Sequence, residues 1–155
     1  MNLNDYLDAM DVFDCEEYAN TDQFYAAFAR FLKERNHISQ PEKIKRLFIR
    51  REKVQSTAIG KGAAAPHIFS DEFSRFFICV ARIRKGMDFQ APDGKPVFLV
   101  FLIMSDDRDV GLHLKSLAHI ARMVDNTDIV EATRTVANAK EIYRVLIQKD
   151  ELIRP

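Results

Sequence analysis

A chain of 155 residues has room for about one domain, and 47% hydrophobic against 30% charged residues, with five Gly and five Pro, excludes a disordered or fibrous polymer. The 23 Lys and Arg are balanced by 23 Asp and Glu, so the formal net charge is zero and no overall field draws nucleic acid or anionic lipid. Residues 1–19 carry Asp5, Asp8, Asp11, Asp14, Glu16 and Glu17 among a few apolar anchors. They read as an acidic, loosely structured lead-in to a domain over 20–155.

From Asn20 the pattern turns helical: a capping residue precedes Phe24, Phe28, Phe31 and Leu32, spaced at i, i+4, i+7 and i+8, which predicts a helix ending near Asn36. Pro41 suits the first turn of a second helix, with Ile44, Leu47 and Phe48 on one stripe, running to about Arg51. Small residues then replace large ones over 56–67, and Gly60 and Gly62 permit backbone shapes that other residues avoid. The near-continuous apolar runs Phe76 to Ile83 and Val97 to Met104 predict strands covered on both faces. Between them, alternation over Met87 to Gln90 predicts a short edge strand, followed by a turn at Ala91-Pro92-Asp93-Gly94. Val110 to Val124 predicts an amphipathic helix with His113, Leu117, Ile120 and Val124 on one stripe. Thr127-Asp128 can cap a short helix over Ile129 to Arg134, and Asn138 can start the last. This order predicts a single α/β domain, a central mixed β-sheet flanked by helices on both faces.

Cys15 and Cys79 stand 64 positions apart without Cys-x-x-Cys pairing, so neither a disulfide framework nor a zinc site is indicated, and a reducing compartment fits. The longest apolar run has eight residues, far short of the ~20 that cross a bilayer, and the N-terminus is not basic. The expectation is a cytoplasmic protein without direct membrane insertion.

Four histidines remain as the reactive groups. His67 follows Pro66 and a run of small residues that let a second molecule approach the ring; its plain alternative is a loop histidine at a strand end. His113 is either reactive or a core histidine satisfied by a backbone carbonyl. His119, about 120° round the same helix, reads as peripheral, and His37 receives no role. Lys43, Lys45, Arg46, Arg50, Arg51 and Lys53 form either a solvated helix face or a patch that meets an acidic or phosphorylated partner.

The run Arg51-Glu52, Ser56-Thr57-x-x-Gly60-x-Gly62-x-Ala64-x-Pro66-His67, then Asp93-Gly94-x-Pro96-Val97 and His113-Leu114-x-x-Leu117 resembles the enzyme IIA domain of the mannitol/fructose class of the bacterial phosphoenolpyruvate-dependent phosphotransferase system, nearest its nitrogen-regulatory branch. The resemblance spans about residues 20 to 148. It implies that His67 accepts a phosphoryl group from an HPr-like phosphocarrier protein and passes it to an enzyme IIB domain or signals to a regulatory target, with His113 and Arg51 beside it and no cofactor. A neutral imidazole suits the task near pH 7. Backbone N–H groups near Gly60 and Gly62, and the Ser56 or Thr57 hydroxyl, are expected either to hold the His67 ring or to contact phosphate.

Three departures stand out. Ile68-Phe69 are bulky where the family commonly has small residues, Ser105-Asp106-Asp107-Arg108 replaces a Pro-containing turn, and 14–17 lack the usual lead-in. Asp106 and Asp107 would either repel phosphate or cap the following helix. The competing readings are a non-catalytic interaction module that keeps the fold and binds a partner without being phosphorylated, and a His67/His113 metal hydrolase. The second lacks a carboxylate at ligand spacing. No nucleic-acid recognition motif follows the basic run.

Overall fold

Six strands and five α-helices build the fold in a computed structural model that describes residues 1–154. The elements are β1 (Val12–Cys15), α1 (Thr21–Glu34), α2 (Pro41–Val54), β2 (Ala58–Gly60), β3 (Ala63–Ala64), β4 (His67–Phe69), β5 (Phe77–Met87), β6 (Val97–Ser105), α3 (Val110–Asn126), α4 (Ile129–Arg134) and α5 (Ala139–Leu152). The sheet order is β1-β5-β6-β3-β2, with β4 continuing on β6 beyond β3. β5 and β6 run antiparallel, while β1 on β5 and both β3 and β4 on β6 are parallel, so the sheet is mixed as expected.

Local chemistry sets the helix starts. The Asn20 side chain accepts the Gln23 N–H at 2.9 Å and the Asn138 side chain accepts the Glu141 N–H at 3.0 Å, each satisfying a donor that the first turn leaves free. Pro41 occupies the start of α2, where a missing N–H costs nothing. Thr127 Oγ1 accepts the Ile129 N–H at 3.2 Å ahead of α4.

Alternating side chains of β5 and β6 feed two cores. One face packs on α1 and α2 through Phe24, Phe28, Ile44 and Phe48 with Cys79, Ala81, Val100 and Leu102. The other packs on α3, α4 and α5 through Ile120, Met123, Ile129, Ile142 and Leu146 with Ile78, Val80, Phe101 and Ile103. Each fully buried Leu, Ile or Phe contributes about 1.5–3 kcal/mol. The two strands therefore lie at the centre, covered on both sides.

The first nineteen residues depart from the loose lead-in expected of them. Leu3 and Leu7 are buried in the second core, Val12–Cys15 pair in parallel with Val80–Ile83, and Asp11 is buried among partners. Asp11 accepts from Arg35 Nε and pairs with His37 Nε2, both at 2.9 Å. His37 also stacks on Phe77 at 4.4 Å, so the histidine left without a role ties the end of α1 to the sheet. Most of the acidic residues meet a basic one: Asp14 takes a two-pronged bond from fully buried Arg82, at 2.9 Å on each oxygen, and a third from Arg84 at 2.8 Å. Arg82 Nη1 also donates to the Thr133 carbonyl at 2.9 Å and to that of Val136.

Two further expectations are corrected. Met87 ends β5, and Asp88 to Gln90 form no strand: the Asp88 side chain accepts the Gln90 N–H at 2.7 Å and Gln90 takes φ 52°, a bend that keeps Phe89 buried without a ladder. His119 is not peripheral. It is buried against Asp150, which also accepts the Leu3 N–H at 3.0 Å and Arg154 Nη2 at 2.8 Å. No helix among the described residues is long and apolar enough to cross a membrane.

Candidate functional site

The free end of β6 organises the site. The Ile103 N–H donates to the Pro66 carbonyl and the Ser70 N–H to the Ser105 carbonyl, both at 3.0 Å, which pins β4 so that His67 lies beside Ile103 and Phe69 beside Ser105. Strand alternation sends Ile68 into the α1/α2 core and puts His67 and Phe69 on the α3 side. There they meet His113 from the first turn of α3. The His67 and His113 ring centroids are 5.9 Å apart and close to perpendicular, and Phe69 and Phe76 lie 4.2 Å and 5.3 Å from the His113 ring.

His67 remains partly open to solvent, whereas its Nδ1 is buried and makes no hydrogen bond of normal geometry. Burial first, and then the Arg51 guanidinium, hold its pKa below the usual imidazole value, against a smaller opposing effect of the Ala65 main chain. Arg51 comes from the last turn of α2, where its Nη1 donates to the Gln55 carbonyl at 2.9 Å. His113 is 2% exposed, and its pKa is pushed down to about 4 by burial and then by the charge of His67. Its Nε2 lies 2.7 Å from Ser105 Oγ, and its Nδ1 is buried with no partner.

The structure thus brings His67 and His113 together, with the Arg51 guanidinium near enough for its charge to act on the His67 ring, and separates the other expected positions. Ser56 Oγ donates to the Phe89 carbonyl at 2.5 Å, and Thr57 Oγ1 donates to Glu52 Oε1 at 2.7 Å, so both hydroxyl protons are committed to holding the loop. Gly60 and Gly62 serve the β2–β3 turn, at φ 88° and 83°, with Lys61 at 57° between them. A Cβ on Gly62 would lie 3.0 Å from Val130, and one on Gly60 3.3 Å from Asp93. Ala63 sits beside Leu99 and His67 beside Ile103, which puts the glycine turn roughly 13 Å along β6 from the imidazole. These glycines shape a hairpin and do not line the histidine pair.

Two side chains escaped the sequence reading. Glu52 accepts from Tyr25 Oη at 2.5 Å, from the Thr57 N–H at 2.7 Å and from Thr57 Oγ1, and so locks the end of α2 to the strand ahead of Pro66. Its place next to Arg51 was the only signal. Ser105 was visible just as part of an altered turn, yet it is the His113 partner. Asp106 neither faces the ring pair as a free charge nor caps α3: it accepts the Arg108 N–H at 3.0 Å and pairs with the Arg108 guanidinium. Lys43 pairs with Asp71 and Lys45 with Glu42, so part of the basic face of α2 is neutralised internally. No cluster of three or more metal-ligating side chains occurs among the described residues.

A family model described as phosphoenolpyruvate-dependent sugar phosphotransferase system, EIIA 2, matches residues 5–149. A nitrogen regulatory protein of Bradyrhizobium diazoefficiens is 39% identical over 100 residues, covering 64% of this chain and 65% of that protein, so the matched stretch spans less than two thirds of the relative. Among solved structures, the nitrogen regulatory protein IIA-Ntr from Neisseria meningitidis superposes with a TM-score of 0.81 at 27% identity, over 92% of this chain and 97% of that one. The mannitol enzyme IIA of Escherichia coli, solved in complex with phosphorylated enzyme IIB, gives 0.74 at 17% identity over 91% and 96%. At that identity the likeness is one of fold.

Proposed function

The chain belongs to the phosphoenolpyruvate-dependent sugar phosphotransferase system EIIA 2 family, and on that premise we propose that it is a cytoplasmic phosphoryl relay of the regulatory, nitrogen type. His67 takes the group from an HPr-like phosphocarrier protein and gives it to an enzyme IIB domain or holds it as a signal to a regulated target. The observation that carries this reading is the meeting of a partly open imidazole, a second imidazole 5.9 Å away and a guanidinium whose charge reaches the first ring.

Each part has a chemical task. A lowered pKa leaves His67 neutral at pH 7, with a lone pair available to phosphorus. Nδ1 has no open surface, so Nε2 is the nitrogen that attacks. Phosphoryl transfer between two nitrogens needs in-line placement and positive charge around three equatorial oxygens, and Arg51 supplies that charge. Glu52 holds the end of α2 so that the guanidinium arrives in place. Phe69, 37% exposed, and the exposed Val110 and Leu114 within one turn of His113 offer apolar contact for a docking protein. The solved complex of the mannitol relative with phosphorylated enzyme IIB supports that class of acceptor.

Incubation with phosphoenolpyruvate, the first enzyme of the system and its phosphocarrier, followed by intact mass, tests the reading. The wild type gains about 80 Da, one phosphoryl group, and His67→Ala gains nothing while keeping its fold. Label on the His67→Ala variant refutes the assignment. A folded wild type that gains no mass points instead to the non-catalytic interaction module.

A further inference from the structure

We infer that Ser105 is a positioning residue: its hydroxyl fixes His113 as the Nε2–H tautomer, leaves Nδ1 as a vacant proton acceptor, and so makes phosphoryl arrival on His67 draw a proton onto the second ring. The inference rests on the relay reading and adds to it a residue and a proton.

The argument begins with counting protons. A serine hydroxyl has one hydrogen to give. Ser105 Oγ donates it to the Asp106 carbonyl at 2.7 Å, and a carbonyl has none to return. The 2.7 Å bond between Ser105 Oγ and His113 Nε2 must then run from the ring to the hydroxyl. A neutral imidazole carries a single N–H, so Nδ1 of His113 is a bare lone pair, buried and without a partner. Buried polar atoms are rarely left this way, and each one calls for a physical explanation.

A lone pair repels phosphoryl oxygens, so the ring assists the transfer only once Nδ1 is protonated. The groups facing it decide when that happens. From β4 it meets His67 and Phe69, from the segment ahead of β5 Phe76, and from β6 Ser105. The Asp106 carboxylate is occupied by Arg108, and Arg51 acts on His67. Before transfer no anion among the described residues balances a proton on this ring, and burial keeps it neutral. Transfer adds to the neighbouring ring a group of about −1.5 to −2 charge, which reverses the sign of that influence. In the step itself the carrier's N–P bond breaks as the bond from His67 Nε2 to phosphorus forms, and the carrier nitrogen recovers its lone pair. The proton that reaches His113 Nδ1 comes from solvent, while Nε2–H stays on Ser105.

Long-range 1H–15N correlation spectra of the histidine rings test this on 15N-labelled wild type, Ser105→Ala and Ser105→Thr at pH 7, and on wild type phosphorylated enzymatically. We expect a neutral Nε2–H ring at His113 in wild type, mixed tautomers and a transfer rate lower by about tenfold in Ser105→Ala, and recovery of both in Ser105→Thr. In the phosphorylated protein both His113 nitrogens carry protons. Ser105→Ala adds no volume, and its amide spectrum verifies folding. A wild-type ring protonated at Nδ1, or a Ser105→Ala ring identical to wild type, overturns the role of Ser105. A His113 that stays singly protonated beside phosphorylated His67 overturns the proton uptake. If wild type accepts no phosphoryl group, the relay reading and the proton uptake fall together, and the unphosphorylated spectra still decide the tautomer.

Discussion

Acidifying the protein from pH 7 to pH 5 removes about 2 kcal/mol of folding stability through His113 alone. The folded pKa of this ring is about 4, below the ordinary 6.5 that it regains on unfolding. Between those values the unfolded chain binds a proton that the folded one refuses, so stability is complete above pH 6.5 and drains as the pH falls toward 4. At about 1.4 kcal/mol per unit, the whole window is worth about 3 kcal/mol, of which roughly two thirds is spent by pH 5. The carboxylates of Asp11, Asp14 and Asp150 are held below their ordinary 3.8 and titrate outside this range. Urea unfolding of wild type and His113→Gln at pH 7, 6 and 5 isolates the effect, since Gln cannot take up the proton. The wild type should lose about 2 kcal/mol more than the variant across the series. Parallel losses in the two proteins would falsify the claim that burial keeps this imidazole neutral.

Arg82→Ala leaves the Asp14 carboxylate and the Thr133 and Val136 carbonyls short of a donor, so chemical denaturation should show a loss of about 3–5 kcal/mol; a loss under 1 kcal/mol is the contrary result. Gly86 has φ 73°, and a Cβ there would lie 2.8 Å from the Phe98 ring, so Gly86→Ala should destabilise by about 1–3 kcal/mol, part of it recovered when Phe98 is also shortened to Leu. An unchanged unfolding midpoint would show that this end of β5 tolerates a side chain. Burial pushes the Cys15 thiol up to about 12 and that of Cys79 well above its ordinary range. A disulfide reagent at pH 8 should therefore label neither in the folded protein and both in urea.

Elements whose cause is local were legible in the sequence. Asn20 and Asn138 cap helices because their own side chains reach the next turn, Pro41 starts one because its φ is preset, and β5 and β6 declared themselves through apolar runs wide enough for two cores. Elements whose cause is remote were not. Residues 1–19 looked too charged to fold because Arg82, Arg35 and His37, which neutralise them, lie far along the chain. His119 looked peripheral by helical angle alone, since Asp150 is 31 residues away. The alternation over Met87–Gln90 was genuine, but an Asx turn decided the backbone. At the site the motif pointed to His67, His113 and Arg51, and it gave Gly60, Gly62, Ser56 and Thr57 as positions that either hold the His67 ring or contact phosphate. The Ser56 and Thr57 hydroxyls donate to Phe89 and Glu52, and the two glycines shape the β2–β3 turn, contacts that no pattern in the sequence announces. Ser105 carried no periodic or motif signal, because its importance is a matter of where one hydroxyl hydrogen points.

Asp150 grips the chain near both of its ends, through the Leu3 N–H on one side and Arg154 on the other. Leu3 and Asp150 are 147 positions apart in sequence yet share a hydrogen bond, so the covalent path almost returns to its starting point. A short linker joining residues near 1 and 154 would span little distance and add little closure entropy, and the resulting ring could be reopened at the solvent-facing Ala91–Gly94 turn. Such a permuted chain keeps every strand neighbour while exchanging which segments leave the ribosome first, and it separates the order of synthesis from the order of assembly.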